Sequence, residues 1–168
     1  VMQQRFGMSA ADTFALSSLG IVFLNIGCVL AGLLVDRVGA WRALMFYSLL
    51  LPVGIAALYG SLISGWGWTG LAYALAGLAC GVVGVVPSVM VGLFPPAIRV
   101  SGISFTYNVA YALWASTTPL LLIALMPWSP WVCVGFCLVM GAVGLLTAVY
   151  FSAREDLRAG DELVLAKV

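Results

Sequence analysis

Charged side chains are almost absent from the interior of this sequence. Between Arg42 and Arg154 the only charged residue is Arg99, and none lies between Asp12 and Asp36. An ordinary soluble domain is about 25% charged, whereas 8% of these 168 residues are charged and 64% are hydrophobic. Because a water-exposed surface needs many more polar side chains, the pattern excludes a soluble globular domain and predicts an integral membrane protein.

The uncharged stretches divide at clusters of Gly, Pro and Trp into five segments. The predicted spans are residues 13–35, 43–63, 69–94, 101–125 and 131–151. A helix of about 21 residues is ~31 Å long, which matches one hydrocarbon core. Helices are required because lipid offers no hydrogen-bond partner to an irregular backbone. We therefore expect an all-α membrane domain over residues 1–153 and a solvated cytoplasmic tail over 154–168, with about one helical turn.

The basic residues predict the orientation of these spans, because Lys and Arg near span ends are retained on the cytoplasmic side. All of them except Arg5 fall on one side, namely Arg37, Arg42, Arg99, Arg154, Arg158 and Lys167. The loops on the other side are uncharged and hold Trp66, Trp68, Trp128 and Trp131, which suits a membrane interface. The N-terminus is therefore expected outside and the C-terminus in the cytoplasm. The first span is too long for a signal peptide and lacks a following cleavage site, so we interpret it as a spanning helix.

The residue types needed for most enzymes are missing. The chain has no histidine, which excludes a Ser-His-Asp triad, a Cys-His pair and a histidine metal site. Every carboxylate lies at a span end or in the tail, so no acid-base pair faces a protected cavity. The four cysteines lie within spans without a CxxC pair and are expected to be inert; they are Cys28, Cys80, Cys133 and Cys137. We expect no enzyme activity, no cofactor, no metal and no nucleic-acid partner.

A polar and aromatic stripe runs along the fourth predicted span. Its members recur at helical spacing and are Ser104, Tyr107, Asn108, Tyr111, Trp114 and Thr118. A membrane helix turns such a stripe away from lipid, toward neighbouring helices or a cavity. Hydrogen bonding between helices alone is the alternative, typically worth about 0.6 kcal/mol per contact. We favour a substrate path, because packing does not require this combination of Tyr, Asn, Tyr and Trp.

Weaker candidates for the same path lie on the first and third spans. Asn25 shares a helix face with Ser18 and is expected to point inward, because a lone amide in lipid is costly. Whether Asn25 contacts a ligand or another helix stays open. Tyr73 and Ser88 share a face of the third span with several glycines.

Glycine and proline predict how the remaining surfaces pack. Gly77 and Gly81 form a GxxxG pair, which favours close approach of two helices. Pro87 predicts a kink in the third span. The second and fifth spans are nearly featureless and are predicted to be peripheral, lipid-facing helices.

The first cytoplasmic loop combines both signs of charge. Arg37 and Arg42 are explained by retention of basic residues in the cytoplasm. That rule does not explain Asp36, and we expect its carboxylate to accept backbone N–H groups at a nearby helix N-terminus. Gly39 is predicted to form the turn.

Two stretches resemble the major facilitator superfamily. The segment GLLVDRVGAWRAL resembles the family's G-x-x-x-D-R-x-G-R-R loop through Gly32, Asp36, Arg37 and Gly39, with Ala40 and Trp41 at two basic positions and Arg42 beyond them. The segment from Leu93 is similar to the LFP-x-x-x-R-x-x-G-x-x-x-x-Y-N pattern of its metabolite:proton symporters. The matching residues are Phe94, Pro95, Arg99, Gly102, Tyr107, Asn108, Thr118 and Pro119, while Ala115 and Ser116 stand near the usual glycine pair.

The resemblance implies a fold and a function. It implies the C-terminal bundle of a twelve-helix transporter of the bacterial inner membrane, helices eight to twelve, with the N-terminal half missing from this chain. It implies proton-coupled symport of an organic acid or betaine-like osmolyte by alternating access. Taken together with the polar stripes, it predicts a substrate path lined by Tyr107, Asn108, Tyr111, Trp114 and Thr118, with Asn25, Tyr73 and Ser88 as weaker candidates. The predicted cytoplasmic gate consists of Asp36, Arg37, Gly39, Arg42 and Arg99. The alternative is a non-transporting five-helix interaction module or truncated remnant, because alternating access needs two bundles.

Overall fold

The computed structural model describes residues 8–65, 67–129 and 131–165, and all regular secondary structure in these ranges is helical. The helices are α1 (Ala10–Val38), α2 (Ala40–Ser64), α3 (Thr69–Ala79), α4 (Val82–Leu93), α5 (Arg99–Leu125) and α6 (Val132–Leu165). Five are long and apolar enough to cross a membrane when α3 and α4 are taken as one span, Thr69–Leu93. The structure therefore confirms five helices with the length and composition of membrane spans. The predictions for Arg5, Trp66 and Lys167, and for the side chain of Arg158, lie outside the described residues.

Gly39 alone connects α1 to α2. Its backbone has φ 90° and ψ 159°, a conformation that side-chain-bearing residues rarely adopt. Its N–H donates to the Val35 carbonyl at 2.9 Å, and its carbonyl accepts from the Ala43 N–H at 3.1 Å. The predicted turn at Gly39 is therefore present, and its conformation requires glycine.

The third span breaks at Cys80 and Gly81 rather than at Pro87, where the sequence predicts the distortion. The Gly81 N–H donates to the Leu78 carbonyl at 3.0 Å, and the Val83 N–H donates to the Cys80 carbonyl at 3.2 Å. These bonds join residues three apart, so one tight turn separates α3 from α4. Pro87 lies inside α4, which remains helical around it.

Helix α1 packs against this break through glycine. A Cβ added at Gly27 would lie 2.6 Å from the Leu78 carbonyl oxygen, and one added at Gly81 would lie 2.5 Å from the Gly27 carbonyl carbon. A Cβ added at Gly77 would collide with the carbonyl oxygen of Gly20. The close approach predicted for Gly77 and Gly81 is confirmed, and its partner is α1.

Helix α2 is one of the two most buried spans in the described part of the chain, while Phe46, Leu49 and Val53 are exposed on one of its faces. The predicted lipid-facing position therefore fits only that face, and the rest of the helix packs against its neighbours. Its Trp41 ring stacks on Phe151 of α6, with ring centroids 4.9 Å apart and an interplanar angle of 12°. Ser48 fits against α6 because a Cβ added at Gly144 would lie 2.6 Å from the Ser48 Oγ. Small residues on both helices therefore allow α2 and α6 to pack closely.

Helix α6 continues without interruption to Leu165. Its span ends at Arg154, so the backbone of the predicted tail is helical over most of its length rather than for one turn. The Arg154 guanidinium lies 4.8 Å from the centroid of the Tyr150 ring, where the π face of the ring attracts the cation.

Candidate functional site

Helix α5 differs from every other span in its exposure. None of its residues is buried, and 0% of its most apolar stretch is buried, compared with 39% for α2 and for the α3–α4 span. Its main contacts are with α4 and α6. The helix with the polar stripe is therefore the one that the rest of the chain covers least.

A groove of about 610 Å³ lies between α5 and α4. The α5 wall consists of Thr106, Tyr107, Ala110, Tyr111, Trp114 and Ala115, and the α4 wall of Val83, Val86 and Met90. None of these lining residues is charged. The structure thus brings together three residues of the predicted substrate path, Tyr107, Tyr111 and Trp114.

The aromatic residues of the groove lie in a row along one face of α5. Tyr107 and Tyr111 are one helical turn apart, and their rings stack with centroids 5.3 Å apart at an interplanar angle of 27°. Trp114 follows on the same helix face. Phenol hydroxyl and indole N–H groups donate hydrogen bonds, and ring faces attract cations. The row therefore offers two kinds of contact to a ligand.

The other two predicted residues on α5 lie outside the groove lining. The Asn108 side-chain amide donates to the Ser104 carbonyl of its own helix at 2.7 Å and is exposed. Thr118 is half-buried, one turn beyond Trp114 on the same side of the helix. Neither residue is among those that line the groove.

Asn25, Tyr73 and Ser88 do not join the aromatic row. Asn25 is exposed, and its amide donates to the Ile21 carbonyl at 2.8 Å. It lies about 200° around α1 from the packed Gly27, so it does not point into the bundle that the described chain forms. The Tyr73 ring lies 3.4 Å from the place a Cβ on Gly20 would occupy, which makes it a packing residue against α1. Ser88 is half-buried on α4.

The charged residues of the first loop are solvent-facing. Asp36, Arg37 and Arg42 are exposed, and no ion pair joins them to one another or to any other side chain in the described part of the protein. The N-terminus of α2 has no side-chain cap, so the predicted contact of Asp36 with a helix N-terminus is not formed. Arg37 lies in the last turn of α1, where a cation interacts favourably with the helix dipole.

Arg99 contacts the connection between α4 and α5. Its Nε donates to the carbonyl of Phe94 at 3.1 Å, and Phe94 is the C-cap residue of α4. A Cβ added at Gly102 would lie 2.5 and 2.6 Å from Cδ1 and Cε1 of the Phe94 ring. We call Phe94, Arg99 and Gly102 the α4–α5 clamp. The spacing of the three residues is visible in the sequence, but their mutual contact is not.

A second groove, which the sequence analysis missed, lies between α2 and α3 and has a volume of about 790 Å³. It is lined by Ala57, Gly60, Ser61, Ser64, Gly67, Trp68, Leu71, Ala72 and Leu75. Small residues make the space, and Trp68 is 67% exposed at its edge. The only sequence signal for it is the run of small residues near the end of α2.

The fold and the groove define a multi-pass α-helical membrane protein with an uncharged, partly aromatic groove between two of its spans. No protein family, curated protein or solved structure matches the chain. Among the described residues, no group of His, Cys, Asp or Glu side chains could hold a metal ion.

Proposed function

We propose that this chain forms one helical bundle of a secondary transporter of the major facilitator superfamily, of the metabolite:proton symporter type. Its substrate is a small polar metabolite such as an organic acid or a betaine-like osmolyte, moved by alternating access. The observation that supports this most is the groove containing Tyr107, Tyr111 and Trp114 within a membrane span. Ligand sites are concave and mostly apolar with a few polar groups, and transporters bind substrate near the bilayer midplane.

The exposed polar faces of α1 and α5 support a second bundle. Asn25 and Asn108 are both exposed and both donate to carbonyls of their own helices. An amide that faces lipid is costly. A second bundle, the N-terminal half implied by the sequence resemblance, would cover these faces and complete the path. Placement in a bacterial inner membrane, with the N-terminus outside and the C-terminus in the cytoplasm, belongs to this proposal.

The absence of charge in the groove lining restricts how a substrate is held. An organic acid would need an Arg or Lys from the second bundle, because none lines the groove. A quaternary ammonium group would need no such partner, because tyrosine and tryptophan faces attract it. The proton-titrating group would also come from the second bundle, since every carboxylate of this chain lies near the end of a span or in the tail.

Uptake by cells that express the full-length gene tests the proposal. The radiolabelled panel is citrate, 2-oxoglutarate, shikimate, proline and glycine betaine, each measured with and without a protonophore. We expect accumulation of at least one compound, and we expect the protonophore to abolish it. Absence of accumulation for the whole panel, despite good membrane expression, would count against this substrate class.

A matched pair of variants on α5 connects uptake to the groove. Tyr111→Leu removes a ring from the groove wall, whereas Phe105→Leu removes a ring that is 73% exposed on the opposite side of the helix. We expect Tyr111→Leu to abolish uptake and Phe105→Leu to preserve it, at equal membrane expression. Equal uptake by the two variants would remove the groove from the substrate path.

The second candidate function is a non-transporting membrane interaction module. The observation that favours it is the exposure of α5, which has no buried residue and could dock on a partner protein. Photo-crosslinking from Leu120, which is 70% exposed, distinguishes the two. A crosslink to a separate membrane protein, together with no uptake, supports the module; a crosslink within one transporter polypeptide supports the transporter.

A further inference from the structure

The α4–α5 clamp lies at one end of the candidate substrate groove. Met90, in the α4 wall, is one helical turn before Phe94, and Thr106, in the α5 wall, is one turn after Gly102. The clamp therefore joins the C-terminal end of α4 to the first turn of α5, about one helical turn from each wall of the groove. Because no residue of α5 is buried, few other contacts fix its position in the described chain.

Two different contacts hold the clamp together. The hydrogen bond from Arg99 Nε to the Phe94 carbonyl spans the connection at 3.1 Å. The Phe94 ring occupies the space that a side chain at Gly102 would need. The first contact sets the distance between the two helix ends, and the second sets how closely the first turn of α5 approaches α4.

We propose that Phe94, Arg99 and Gly102 are positioning residues that set the angle between α4 and α5 and hence the width of the groove. Tyr111 lies nine residues beyond Gly102, about 13 Å along the helix axis at ~1.5 Å per residue. A small change of angle at the clamp is therefore magnified at the aromatic row. The role of the clamp in substrate binding rests on the proposed function, whereas its control of helix spacing does not.

Charge alone offers a different explanation for Arg99, since a basic residue here also satisfies cytoplasmic retention. Arg99→Lys separates the two explanations, because it keeps the charge and removes the Nε–H donor. If charge alone matters, Arg99→Lys behaves like the unmodified protein and Arg99→Gln does not. If the clamp matters, both variants loosen α5.

The test measures helix spacing directly in the full-length protein. Bioorthogonal spin labels at Leu71 of α3 and Leu120 of α5, both strongly exposed, report the distance between the two helices while leaving the native cysteines unmodified. We expect Gly102→Ala to lengthen this distance, because the added Cβ meets the Phe94 ring. We expect Arg99→Lys and Arg99→Gln to broaden the distance distribution.

A rescue variant distinguishes positioning from general damage to folding. In the double variant Phe94→Ala with Gly102→Ala, the ring that the added Cβ would meet is gone. We expect Gly102→Ala to change the distance in the unmodified background and to leave it unchanged in the Phe94→Ala background. An identical change in both backgrounds, or no change in either, would overturn the clamp.

Uptake kinetics in the same variants then test the connection to the groove. We expect Gly102→Ala to raise the KM for uptake several-fold at constant expression, and Phe94→Ala to remove that increment. A distance change with unaltered uptake kinetics would leave the clamp in place and overturn the assignment of the groove as the substrate site. If the unmodified protein takes up no compound of the panel, the proposed substrate class fails while the distances still decide the clamp.

Discussion

The interface of α1 with the α3–α4 span and the surface of α5 show two different uses of a membrane helix. At the interface, glycines bring backbones so close that an added Cβ at Gly27 would lie 2.6 Å from a neighbouring carbonyl oxygen. Along α5, bulky aromatic and polar residues leave every position at least partly exposed. Lipid provides no hydrophobic driving force between helices, so close packing depends on small residues. The surfaces of α1, α3 and α4 are therefore complementary to one another, whereas the surface of α5 has no such partner helix in the described chain.

The largest effect should come from disturbing the glycine interface. Gly27→Leu places a side chain against the Leu78 backbone, which cannot move aside as a flexible side chain would. Overpacking of this kind costs about 1–3 kcal/mol or more, so we expect little folded protein in the membrane. The measurement is the yield of monodisperse protein after detergent extraction, followed by thermal unfolding.

Gly32→Leu is the matched control for that substitution. It makes the same change on the same helix, but nothing lies within 4 Å of a Cβ added at Gly32. We expect yield and thermal stability close to those of the unmodified protein. Equal losses in the two variants would show that α1 tolerates no leucine at either place, and the packing explanation would fail.

Some of this architecture is predictable from the sequence because it depends on local chemistry. The spacing of charges predicts five spans, since a charge at membrane depth is expensive wherever it occurs. Gly39 marks its own turn because few other residues adopt φ 90°. The helical spacing of Tyr107, Tyr111 and Trp114 places them on one face before any neighbour is known.

Other features depend on residues far away in the chain. The break at Cys80 and Gly81 lies where the span contacts Gly27 of α1, a residue distant in the sequence. The local signal, Pro87, predicts the distortion at a different place, inside α4. Likewise, no polar stripe in the sequence predicts that α2 is buried. Its burial depends on close packing against α6, where Ser48 lies next to Gly144. Periodicity predicts that a face exists and does not reveal which neighbour it meets.

A smaller effect on stability, with a large one on uptake, is expected from Asn108→Ala. Its amide bonds only to its own helix at Ser104 among the described residues and is exposed, so the bundle should fold as before. If a second bundle covers this face, loss of the amide should reduce uptake about tenfold or more, equivalent to ~1.4 kcal/mol. The assay compares initial uptake rates normalised to membrane expression.

Ser116→Ala provides the comparison for Asn108 on the same helix. Ser116 also donates to carbonyls of α5, at 2.8 and 3.1 Å, and it lies outside the groove lining. We expect near-normal uptake. Normal uptake in both variants would contradict a role for Asn108 in transport. The contribution of α5 to uptake would then rest on its aromatic row alone.

The smallest effect is expected from removing a buried hydrogen bond between α1 and α2. The Tyr47 hydroxyl donates to the Gly27 carbonyl at 3.0 Å, so the glycine that meets the α3–α4 break also accepts from α2. Polar contacts between membrane helices average about 0.6 kcal/mol, and Tyr47→Phe should lower the free energy of unfolding by about that amount. Tyr150→Phe, which removes a hydroxyl from a residue that is 52% exposed, should change stability less. If thermal unfolding instead shows a loss as large as that of Gly27→Leu, then the hydrogen bond and not the glycine contact holds α1 in place.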